Sequence, residues 1–136
     1  MYTLQNFQDA VIDTKNKLER LLSYFNSLDK HTKKTIEIWN INSLIKEVKD
    51  FMLPEMNKLL NQISEDNFPQ KRDRRRLSSL SLVIDSWPCL SLLERKRNEN
   101  VWDRINEVGS AIVDLNDHYC KDLDWRGMSL KSSAVK

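Results

Sequence analysis

The chain has 136 residues, of which 40% are hydrophobic and 31% charged, with a formal net charge of +2. That length suits one domain, and that apolar fraction supports a packed core and excludes a disordered chain. With 2 Gly and 3 Pro, the turn residues a hairpin-rich sheet needs are scarce, so a few long helices are expected.

The opening Met-Tyr-Thr-Leu-Gln-Asn-Phe-Gln has neither the basic region nor the apolar run of a secretory leader. Leu4, Phe7, Val11, Thr14, Leu18, Leu21, Phe25 and Leu28 then follow at alternating steps of three and four. This spacing predicts a helix over 4–28, roughly 37 Å long, with one apolar seam and one polar member, Thr14. Asp29-Lys30-His31 is the expected turn.

Thr32 or Thr35 is placed to open a short helical stretch through Trp39. Asn40, Asn42 and Ser43 carry cap-type side chains and are expected to interrupt it. Leu44, Ile45, Val48, Met52, Met56, Leu59 and Ile63 restore the helical period, with Pro54 inside it. A proline there removes one backbone bond and collides with the carbonyl of residue 50, so a kink or a restart is expected. The apolar phase continues across Pro54 and favours a kink.

Residues 64–69 read as a polar loop. A helix over 70–86 follows, its apolar positions Leu77, Leu80, Ile84 and Trp87 stepping by three, four and three. Pro88 suits the first turn of a short helix from Cys89 to Arg97, and a continuation of the 70–86 helix after a bend is the alternative. Asn98-Glu99-Asn100 caps a last helix carrying Val101, Ile105, Val108, Ile112, Leu115 and Tyr119, with Gly127 as its stop. The expected organisation is one all-α domain over 1–127 and a flexible tail over 128–136. The expected architecture is an up-and-down bundle of four to five helices, one of them kinked at proline. A long helical hairpin completed by homodimerisation is the second arrangement that such narrow seams allow.

Charge is unevenly distributed. Lys71, Arg72, Arg74, Arg75, Arg76, Arg95, Lys96 and Arg97 face three acids, Asp73, Asp85 and Glu94, for a local +5, and the rest of the chain sums to −3. Arg72 and Arg76 lie one turn apart, and Arg75 lies beside Arg72. Cations in the first turns of a helix oppose its dipole, a cost that an anionic partner would relieve. Ion pairing with the acids at 65–66 and 114–124 is the competing expectation. Phe68 and Trp87 flank the cations without interleaving, which weakens a base-stacking role.

Three weaker patterns accompany this one. Arg75-Arg76-Leu77-Ser78 resembles the substrate pattern of arginine-directed protein kinases. Asp114 and His118 share a helix face with Asp117 at its border, a spacing that can hold a divalent cation, yet no second such pair answers it. Trp39, Trp87, Trp102 and Trp125 are expected mainly in the core, with Trp39 and Trp125 the ones at segment ends. The two glycines stand alone, which excludes phosphate-cradling loops and serine elbows. Cys89 and Cys120 form no C-x2-C pair, so structural zinc is excluded and a reduced, cytosol-like setting is expected, with no cofactor. No segment approaches the length of a membrane span. The expected function is a small, non-enzymatic interaction protein that meets an acidic protein surface through these cations. A nucleic-acid-binding module gripping phosphates through 71–76 and 95–97 is the alternative.

Overall fold

The computed structural model describes residues 2–29, 41–87 and 99–122, and among them the fold is all-α. Helix α1 spans Leu4–Ser27 and is opened by Thr3, whose hydroxyl accepts from the Asn6 backbone while Asn6 Oδ1 accepts from the Thr3 backbone N–H at 3.0 Å. These reciprocal bonds satisfy donors that a helix start leaves unpaired. Leu4, Phe7, Val11, Thr14, Leu18, Leu21 and Phe25 are buried, as the period requires, and Leu28 is half-buried beyond the helix end. Thr14 fits the seam because its hydroxyl donates to the Ala10 carbonyl at 2.8 Å.

Helical structure runs unbroken from 41 to 64. It comprises α2 (Ile41–Glu47), a π-helical turn (Val48–Met52) and α3 (Leu53–Ser64). Asn42 and Ser43 do not interrupt it: they lie in α2 with exposed side chains, where polar residues cost a helix little, while Ile41 is buried. The disturbance expected at Pro54 takes the form of the π turn placed just before it. The Leu53 N–H bonds to the Val48 carbonyl, five residues back, and Pro54 sits in the first turn of α3. A widened turn accommodates a ring that has no N–H to offer, and the buried row Val48, Met52, Met56, Leu59, Ile63 continues through it.

The loop after α3 turns back through Asp66, in the left-handed region at φ 59°. The Asn67 N–H returns to the Gln62 carbonyl at 2.8 Å and the Asp66 N–H to Ile63 at 3.1 Å, the paired bonds of a Schellman ending. Helix α4 (Lys71–Ser86) and helix α5 (Glu99–Asp117, extended by a π-helical turn over His118–Asp122) complete the described structure. The stretches expected to hold the 32–39 helix, the 89–97 helix, Gly127 and the tail lie outside the described residues, as do Trp39 and Trp125.

Packing follows the seams. Helix α1 packs on α5 and on α3, α4 packs on α5, and α3 meets α4 less closely than these. Gly109 of α5 lets α4 come close: a Cβ there would lie 3.3 Å from Ile84 Cγ2. Trp87 is buried as expected, and its indole N–H donates to Glu47.

One core position conflicts with its surroundings. Gln62 is 8% exposed, its Oε1 accepts from Asn67, and its Nε2 is buried with no partner. An orphaned buried donor costs about 1–3 kcal/mol. Gln62→Leu should therefore stabilise the chain by about 1 kcal/mol in urea titration, because Asn67 is exposed and can turn to water. A loss of stability would show that the glutamine is satisfied.

Candidate functional site

The cationic run lies on the first two turns of α4. Gln70 is extended at φ −117° and ψ 161°, and its N–H donates to Asp73 Oδ2 at 2.8 Å. Gln70 Nε2 ties back to the Asn67 carbonyl at 3.0 Å and to Asn67 Oδ1 at 2.9 Å. The helix start is thus closed by the protein's own groups, and an anion there would have to be held by side chains rather than by backbone N–H groups.

Asp73 is fully buried among these cations. Its Oδ1 pairs with Arg76 Nη1 at 2.9 Å, and Arg76 Nε reaches Glu55 Oε2 on α3 at 2.8 Å. Lys58 stands 3.8 Å from the other oxygen of Glu55. Two carboxylates and two cations therefore neutralise one another at the joint between α3 and α4. Of the cations singled out in the sequence, Arg76 is the one held inside, its side chain 17% exposed and paired with two carboxylates. It pairs with Glu55 and Asp73 rather than with the acids at 65–66 or 114–124. The signal for this was local, an acid three residues after a helix start and three before an arginine.

Lys71, Arg72, Arg74 and Arg75 remain. All four are exposed, and among the described residues none forms an ion pair. They form a sleeve of +4 around the first turns of α4. Arg95, Lys96 and Arg97 lie outside the described residues. Searches of protein-family models, curated proteins and solved structures find no match to this chain.

The end of α5 borders the sleeve. Phe7, Phe68 and Tyr119 form an aromatic cluster, with ring centroids 5.6–6.3 Å apart. Burial raises the Tyr119 phenol pKa above its ordinary value, and the Arg74 charge partly opposes that. Phe68 and Trp87, the aromatics flanking the cations in sequence, are both buried and present no face for base stacking.

The weaker patterns resolve differently. Ser78 is exposed, but Leu77 beside it is buried and Arg76 is clamped, so an enzyme needing this segment extended would have to unwind α4. His118 stacks on Tyr2 at 4.3 Å between centroids, and Asp117 stands 3.8 Å from Lys121, so Asp114, Asp117 and His118 do not converge. No cluster of three metal-ligating side chains occurs among the described residues. The Cys120 thiol is free and exposed. No described helix is long and apolar enough to cross a membrane.

At the far end of α1 and α5 a shallow groove of about 460 Å³ is lined by Glu19, Arg20, Ser23, Tyr24, Ser27 and Arg104. Its two arginines are answered within the protein. The Arg104 guanidinium lies 4.4 Å from the Tyr24 ring centroid, and Arg20 lies 3.5 Å from Glu107.

Proposed function

We propose that this chain is a small, non-enzymatic helical interaction protein that meets the acidic surface of a protein partner through Lys71, Arg72, Arg74 and Arg75. Its helices would close as an up-and-down bundle, a reading supported by the packing of α1 on α3 and α5 and of α4 on α5. The observation that carries the function is the contrast within one helix. Arg76 is neutralised internally, whereas four neighbours on the same two turns meet no acid among the described residues. Like charges at three- and four-residue spacing repel, and cations at N1 and N2 oppose the helix dipole, each by a few tenths of a kcal/mol. A negative surface reverses both effects, and arginine suits bidentate contacts with carboxylates.

Phosphates would satisfy the same cations, which keeps a nucleic-acid contact as the second reading. The burial of Phe68 and Trp87 supports the protein partner over single-stranded nucleic acid.

The test is Arg72→Glu combined with Arg74→Glu, which alters exposed residues and leaves the Arg76 clamp intact. Tagged chain recovered from nuclease-treated host extract should retain a protein partner, and the double reversal should weaken that retention at least about tenfold, as reversal of complementary charges does. Retention of nucleic acid instead would favour the second reading. Its affinity should then fall about 100-fold between about 50 and 200 mM salt if four phosphates are contacted. Retention unchanged by the double reversal would sink both readings.

A further inference from the structure

We propose that the outward stripe of α4 is a self-association surface, and that its partner is a second copy of this chain laid antiparallel. Arg75, Ser78, Leu82 and Asp85 are all exposed and follow at steps of three, four and three. That spacing aligns them along the side of α4 opposite the buried Asp73, Leu77 and Leu80. Leu82 is 68% exposed, well above Ile12 at 41% and Val113 at 47%.

The stripe is self-complementary in charge and in size. Two copies laid antiparallel, with Arg75 opposite Asp85 of the second copy, also place Ser78 opposite Leu82 of the second copy. Twofold symmetry repeats both matches, giving two opposite-charge layers outside two layers in which a large apolar side chain faces a small one. A parallel pair would set Arg75 on Arg75 and Asp85 on Asp85. An antiparallel pair slid by one layer would set Leu82 against Arg75 in one direction, and in the other would set Leu82 on Leu82 and leave Asp85 facing Ser78. Ser79 and Ser86 border the stripe with short side chains, so two helices could approach closely without a clash.

The helix dipole points the same way. Cations crowd the positive end of α4, and Asp85 lies near its negative end, the reverse of what an isolated helix favours. Antiparallel pairing brings each misplaced charge beside the opposite end of a neighbouring helix. A single stripe is far smaller than a standard interface of about 1,600 Å², so the dimer is weak, with a dissociation constant of about 0.1–1 mM. It shares Arg75 with the proposed function and leaves Lys71, Arg72 and Arg74 outside the stripe, so the Arg72→Glu with Arg74→Glu variant tests that function without altering the stripe.

Sedimentation equilibrium of the full chain decides the matter, over about 10 µM to 2 mM at low salt, the range that a small interface requires. The mass should climb from 16.1 kDa towards twice that value. Arg75→Glu, Asp85→Arg and Leu82→Glu should each weaken association at least about tenfold, and Arg75→Glu with Asp85→Arg should restore it to within about threefold of the parent. All three positions are exposed, so folding does not depend on them. A monomer mass across the whole range would overturn the proposal. So would association that ignores the single reversals, or a double reversal no stronger than either single one.

Discussion

Asp73→Ala should destabilise the chain by about 3 kcal/mol and lower its melting temperature by about 10 °C. The carboxylate has no solvent exposure, and both of its oxygens are engaged, one by the Gln70 N–H and one by Arg76. Its removal takes the cap from the helix start, which alone is worth about 1 kcal/mol. It also leaves Arg76 with Glu55 as its remaining carboxylate, and it removes the one acid among the cations of the first turn. Asp73→Asn keeps an acceptor for Gln70 and should cost about half as much. Asp73→Ala with Arg76→Met should cost less than Asp73→Ala alone, because no half-paired cation is left behind. Urea titration followed by circular dichroism measures all three variants. A change below about 1 kcal/mol for Asp73→Ala would show that α4 is held by its apolar face alone.

Phe68→Ala should have an effect of similar size, about 3 kcal/mol, although the residue sits in a loop. Phe68 is 5% exposed, lies 5.6 Å from the Phe7 ring and meets Tyr119 edge-on at 6.0 Å. Alanine would open a cavity among α1, the loop and the end of α5 and would end two ring contacts, each worth about 0.5–1.5 kcal/mol beyond burial. Phe68→Leu refills much of the space without the ring geometry, so about 1.5 kcal/mol is expected. An ordinary surface-loop response, within about 0.5 kcal/mol of the parent, would show that the loop does not plug the core.

These two residues show where the sequence stops being legible. The seam of α1 was readable because burial there depends on one variable, position modulo a helical turn. Even Thr14 obeyed it, since its hydroxyl has the Ala10 carbonyl within reach. The rows Val48 to Ile63 and Val101 to Leu115 were readable for the same reason. Phe68 belongs to no helical row, so periodicity is silent about it, and its polar neighbours Asp66 and Asn67 made 64–69 read as a surface loop. Asp73 was hidden by its company: five cations around it suggested a solvated end, while its role depends on Gln70 and on Glu55 from another helix. Gln62 shows the reverse case, a polar residue carried into the core by its position beside Ile63. At the candidate site the exposure of Lys71, Arg72, Arg74 and Arg75 followed from their number, because no core accepts so many like charges. For the exception, Arg76, the pairing with Asp73 three residues earlier was open to the sequence, whereas the contact with Glu55 on α3 was not.

The two fastenings between α4 and the 41–64 rod, Arg76 to Glu55 near one end and Trp87 to Glu47 near the other, bracket a helix–helix contact thinner than that of α4 on α5. Helix α5, by contrast, meets α4 through packed side chains and through Asn116, which donates to the Leu77 carbonyl and to Ser81. The molecule is therefore divided mechanically, with a crease along the α3–α4 joint. Under strain the crease would part once its two polar buttons came undone, with α4 still seated on α5 and α5 on α1.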